Sequence, residues 1–174
     1  MGFTLLTVVE IGCRAHCSTR WRTYTYSLQG GPGTAMQLKN VIDRTVDSVT
    51  PDTPLKNAAR VMSKRNVQML PVCCRGYLVG LLTLRDLTVR ATSQGRDPGT
   101  TKVAEVMSRE IFYCHDDEDV QAAAKIMYGR HLSRLPVVDR DSRLVGIVSL
   151  RNIKPEARSA SASEHPGPAG KAQR

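Results

Sequence analysis

Thr83 and Asp86 stand three residues apart behind an aliphatic run, and Ser149 and Asn152 repeat that spacing 66 residues later. The two stretches read GLLTLRD (80–86) and GIVSLRN (146–152). A carboxylate can accept two hydrogen bonds side by side and so suits a pair of neighbouring hydroxyls. A hydroxyl combined with the free N–H groups of a helix start suits a phosphate. The same spacing is also a capping box in all but side-chain length, with Thr83 or Ser149 as N-cap and Asp86 or Asn152 at N3. On the residues alone, both readings stand.

The other reactive side chains build no catalytic constellation. His16, His115, His131 and His165 have no nucleophile and carboxylate at triad-like spacing, and neither a P-loop nor a dinucleotide fingerprint occurs. No enzymatic activity is expected. The five cysteines (13, 17, 73, 74 and 114) form no CxxC pair. CRAHC (13–17) offers two thiols and an imidazole, whereas zinc wants three or four ligands. Reduced thiols in a cytoplasmic protein are the expectation. A redox or metal sensor using Cys73, Cys74 and Cys114 is an alternative. The acids at 116–119 suit a helix start without any metal.

A net charge of +9 favours anionic partners, but the excess is scattered among acids. Nucleic-acid binding through a basic surface is therefore a second alternative, weakened by the lack of a basic helix and of stacking aromatics. No run approaches the roughly 18 apolar residues of a membrane span, so a soluble protein is expected. MGFTLLTVVEIGC at the N-terminus has no basic leader and is interrupted by Glu10, which argues against a signal peptide.

The spaced hydroxyl and acceptor residues are held by an internal repeat. At an offset of 65, Val41-Ile42 falls on Val106-Met107, PLKNAARVM (54–62) on DVQAAAKIM (119–127), and Leu70-Pro71-Val72 on Leu135-Pro136-Val137. Each copy starts with a β-prone run (46–50; 111–115). A helix follows, with Leu55, Ala58, Ala59 and Met62, or Val120, Ala123, Ala124 and Met127, on one apolar face. Two short strands come next, joined by RG or RDS, and a second helix is expected from Thr83 or Ser149. The unit is β-α-β-β-α, an α/β (α+β) fold. A unit of this size buries little surface alone, so the two copies are expected to share a core. The boundaries are 36–92 and 102–154, joined by a flexible linker at 93–101. Residues 1–35 align with neither copy and are left unassigned, either a poorly ordered extension or an over-extension of the reading frame. Residues 155–174 have a disordered composition.

The repeat spacing, the LPV strand and the G-h-h-[ST]-x-x-[DN] motif in both copies resemble a CBS domain pair, the Bateman module. That resemblance implies a pseudo-twofold pair with two clefts for adenosine derivatives, AMP, ADP or ATP being the expected ligands. It also implies a homodimer and a separate effector protein, without nucleic acid or membrane. By the family pattern, Asp86 and Asn152 meet ribose hydroxyls, and Thr83 and Ser149 meet phosphate. Gln68, Met69, Ser133 and Arg134 line the clefts, while Thr53 and Ala58, or Glu118 and Ala123, close over adenine from the opposite copy.

Overall fold

The computed structural model describes residues 6–11, 21–26 and 36–153. Ahead of the repeats, β1 (Leu6–Ile11) and β2 (Trp21–Tyr26) pair antiparallel, from Leu6 opposite Tyr26 to Ile11 opposite Trp21. LTVVEI and WRTYTY are rich in β-branched and aromatic residues, which suits strands. The segment left unassigned from its lack of period thus contains a hairpin. The tail expected at 155–174 lies outside the described residues.

The first repeat runs through α1 (Leu55–Arg65), β3 (Met69–Cys74), β4 (Tyr77–Thr83) and α2 (Leu84–Asp86). The α2 turn widens into a π turn (Leu87–Ala91) and ends in a 3-10 turn (Thr92–Gln94). In the second repeat, α3 (Val103–Val106) and β5 (Cys114–His115) precede α4 (Val120–Gly129), β6 (Arg134–Val138) and β7 (Leu144–Ser149). The β3–β4 and β6–β7 hairpins are antiparallel, with Pro71 opposite Leu81 and Pro136 opposite Ile147. The leading β-prone runs shrink to one parallel bridge, Val49 to Val72, and to the short β5 beside β6. After β7 the chain makes a turn in which Asn152 N–H donates to the Ser149 carbonyl (2.9 Å), and the described residues end at Ile153.

The helix faces read from the sequence are buried except at Ala59, which is only partly covered. Leu55, Ala58 and Met62 join one core, and Val120, Ala123, Ala124 and Met127 the other. Each core is completed by a segment that the sequence assigns to the opposite repeat. Val103, Val106 and Met107, which lead repeat two, close the core of repeat one; Leu38, which leads repeat one, closes the core of repeat two. The backbone confirms the exchange. Leu81 and Ser108 exchange N–H···O bonds of 2.9 and 2.8 Å, and Asp43 and Ile147 exchange bonds of 2.9 Å in both directions. Burying a large aliphatic side chain is worth about 1.5–3 kcal/mol, so Leu38, wholly buried in the far core, ties the repeats together more firmly than surface contact could.

The exchange explains the glycine in each seven-residue motif. A Cβ on Gly146 would stand 2.6 Å from the Asp43 carbonyl oxygen, and one on Gly80 would stand 2.7 Å from Met107 Sδ and 3.1 Å from the Ser108 carbonyl oxygen. The visiting segment needs the room. A third apolar cluster (Cys73, Leu78, Ile111, Tyr113 and Val138) fills the space where the two hairpins meet.

The join at 93–101 is ordered, contrary to the flexibility expected from its Gly, Ser and Thr content. Leu55 N–H donates to the Thr101 carbonyl (3.0 Å) and Lys56 N–H to the Pro98 carbonyl (2.9 Å). Pro54 gives α1 no side-chain cap, so the join supplies acceptors for its first N–H groups.

Candidate functional site

Between the repeats, beside the segment that bonds to Ile147, lies a cleft of about 210 Å³. Asp43, Thr45, Val46 and Asp47 form one wall, and Arg65, Val67, Met69 and Leu70 the floor. Arg134 and Ile147 enter from the second repeat. Arg65 grips Asp47 with two nitrogens, Nε at 2.5 Å and Nη2 at 3.1 Å. Hydrogen bonds from the Thr45 hydroxyl and N–H hold the Asp43 carboxyl below its usual range. Arg134 is half-buried, and among the described residues its guanidinium has no hydrogen-bond or ion-pair partner. Ser149 is its register partner across β6 and β7. The Ser149 hydroxyl oxygen accepts from Arg151 N–H at 3.3 Å, which leaves its proton free to donate. A lone guanidinium beside a hydroxyl, over an apolar floor of Val46, Val67, Met69 and Leu70, can hold an anionic group on a flat apolar body.

The other motif is used internally. Thr83 and Asp86 form a complete capping box at α2. Asp86 Oδ2 accepts from Thr83 N–H (2.9 Å) and the Thr83 hydroxyl (2.6 Å), and Asp86 N–H donates to Thr83 Oγ1 (3.2 Å). Asp86 Oδ1 accepts from the Ser108 hydroxyl (3.2 Å) and faces Arg90 Nε at 3.5 Å. Arg90 in turn donates to the Val106 and Met107 carbonyls. Asp86, Arg90 and Ser108 thus clasp the visiting α3 segment to repeat one. In the second motif, exposed Asn152 makes one long bond, 3.5 Å, to the Val41 carbonyl of the other visiting segment.

Of the residues singled out from the sequence, the structure brings Met69 and Arg134 to the cleft, with Ser149 beside Arg134. Gln68 and Ser133 are exposed just before β3 and β6, and their carbonyls accept from Leu84 and Leu150 N–H. Thr53 is engaged locally, its hydroxyl bonded to Thr50, and its carbonyl accepts from Val103 N–H. Ala58 and Ala123 are wholly buried in the two cores, apart from the cleft lining. Glu118, also half-buried, accepts from His115 N–H, and burial pushes its carboxyl up. Sequence reasoning missed the stretch 43–47 and Arg65. The stretch 43–47 lies in the lead-in of repeat one and Arg65 at the end of α1, where neither periodicity nor motif marks them.

Burial pushes the Cys73 thiol up to about 11 and, with Glu118 beside it, raises that of Cys114 as well, which disfavours the reactive thiolate at these two positions. Among the described residues no group of three or more His, Cys, Asp or Glu could hold a metal, and no helix is long and apolar enough to cross a membrane. CRAHC lies outside the described residues.

The CBS domain profile matches twice, at residues 38–91 and 103–156. The CBS domain-containing protein YhcV of Bacillus subtilis is 39% identical over 116 residues, 67% of this chain and 81% of its own length. The longer inosine-5′-monophosphate dehydrogenase of Methanocaldococcus jannaschii is 33% identical over 114 residues, 65% of this chain and 22% of its own length. Among solved structures, Hypoxic Response Protein I with two coordinated zinc ions matches 68% of this chain and 96% of its own, at 28% identity and a TM-score of 0.62. The CBS domain pair of protein MJ0100, in complex with 5′-methylthioadenosine and S-adenosyl-L-methionine, matches the same shares at 29% identity and a TM-score of 0.59.

Proposed function

The chain belongs to the CBS domain family, and on that footing we propose a regulatory module that holds an adenosine-containing ligand in a cleft between its repeats. The observation that carries this reading is the cleft itself, in which a lone Arg134 beside Ser149 faces an apolar floor. The guanidinium and hydroxyl suit a phosphate or carboxylate, the floor suits adenine, and Asn152 stands within the same turn for ribose hydroxyls. The adenosine compounds bound by the MJ0100 pair support this ligand class. The module acts without chemistry of its own and passes its state to a separate effector protein in the cytoplasm. Leu84 on α2 and Val89 on the π turn that follows it are exposed, which supports self-association as a homodimer. Metal sensing finds no ligand cluster among the described residues to recommend it.

Differential scanning fluorimetry with AMP, ADP, ATP, 5′-methylthioadenosine and S-adenosylmethionine tests the reading. A ligand at a hundredfold its Kd adds about 2.7 kcal/mol, a Tm rise of roughly 5–15 °C. Flat melting curves with all five would contradict it.

A further inference from the structure

We infer that this chain holds one adenosine ligand, in the cleft beside Arg134, and that its second cleft is filled by its own side chains. The inference rests on the adenosine reading above and deepens it. The residues 65 positions after the first cleft's lining show why the second is filled. Val46, Asp47 and Val67 give way to Ile111, Phe112 and Leu132, each bulkier. Ile111 is 2% exposed, its side chain packed with Cys73, Leu78, Tyr113 and Val138 between the hairpins. Phe112 lies under the Arg130 guanidinium, 4.9 Å from the ring centroid, where the first cleft has the Arg65–Asp47 pair. Adenine would have to displace that stack.

The diol side is closed as well. Asp86 is 5% exposed, and both of its oxygens are bonded within the clasp to Thr83, Ser108 and Arg90. A ribose could bind there only by breaking the join between α3 and repeat one. The Thr83 hydroxyl already gives its proton to Asp86, whereas that of Ser149 is free.

Isothermal titration of the full chain with 5′-methylthioadenosine and with AMP tests the inference. One ligand per chain is expected. Arg134→Ala should weaken AMP about tenfold or more, by loss of a charge-assisted contact, and affect 5′-methylthioadenosine less. Asp86→Asn should leave stoichiometry and affinity as in the wild type. If Asp86→Asn does not fold, Phe112→Trp, which fills the second cleft further, serves instead and should also leave both unchanged. Two ligands per chain, or affinity lost in Asp86→Asn or Phe112→Trp but kept in Arg134→Ala, would overturn the inference and leave the adenosine reading intact. No heat with either ligand would overturn both.

Discussion

Positions 47 and 65 in the first repeat are an aspartate and an arginine joined as an ion pair; 65 residues later, positions 112 and 130 are a phenylalanine and an arginine stacked face-on. Both repeats keep an antiparallel hairpin to which a segment of the other repeat is bonded, at Ser108 in one and Asp43 in the other. The two frames are thus alike in plan and differ in their interiors. One interior remains open and polar on one wall. The other has spent its polar motif on holding the repeats together and its opening on an aromatic ring.

The largest expected effect lies at the glycines, where the two frames differ in what presses on them. Gly146→Ala must push back the Asp43 carbonyl, part of the backbone, and should cost about 2–3 kcal/mol. Gly80→Ala meets first the flexible end of Met107 and should cost about 1 kcal/mol. Urea denaturation measures both. Equal losses would mean that the two exchanged segments are equally tight.

The last residues of the two motifs come next. Asp86→Ala strips the capping box, leaves the Ser108 hydroxyl without its acceptor and takes the counter-ion from Arg90, for a loss of roughly 1–3 kcal/mol. Asn152→Ala gives up one long bond and should cost less than about 0.5 kcal/mol. Comparable costs would remove the distinction between a clasp and a free motif.

A smaller effect is alkaline. Cys73 stands where the second repeat has Val138. Its folded thiol titrates near 11, above the ordinary value of 9.0, because burial disfavours the thiolate. The unfolded chain therefore loses that proton first as the pH rises. Stability from Cys73 should be full below pH 9 and fall away towards pH 11, and Cys73→Val should flatten that part of the curve. An unchanged slope in Cys73→Val would refute it.

The smallest effect concerns the paired arginines. Arg65 is 58% exposed, so Arg65→Ala should cost at most about 1 kcal/mol, less at high salt. Arg130→Ala takes the guanidinium off the Phe112 ring and should cost about 0.5–1 kcal/mol. Thermal melts measure both, and a loss well above 1 kcal/mol in Arg65→Ala would count against an exposed, weakly held pair.

Much of the frame was legible in the sequence, because helices and hairpins bury alternate or fourth residues and leave a period behind. The buried faces of α1 and α4 follow from Leu55, Ala58 and Met62 and from their counterparts. The exchange of segments left no such mark. Leu38 and Val103 are equally apolar whichever core receives them, and only the close approach at Gly80 and Gly146 hints at a visiting segment. The last residues of the two motifs were legible as a choice between capping and binding, and sequence spacing cannot make that choice. It depends on Ser108 and Arg90, which only the fold brings to Asp86. The cleft wall at 43–47 was invisible for a similar reason, because it serves a cleft completed by Arg134 and Ile147 from the other repeat. The β1–β2 hairpin was missed because residues 12–20, between its strands, carry no short-turn signal.

A crystal of the full chain grown with 5′-methylthioadenosine tests the account most directly. The account places ligand density between Asp47, Met69 and Arg134, with Phe112 still stacked under Arg130 and Asp86 still bonded to Ser108. Density over Phe112 with Asp86 turned towards the ribose, and the Arg134 side empty, would contradict it.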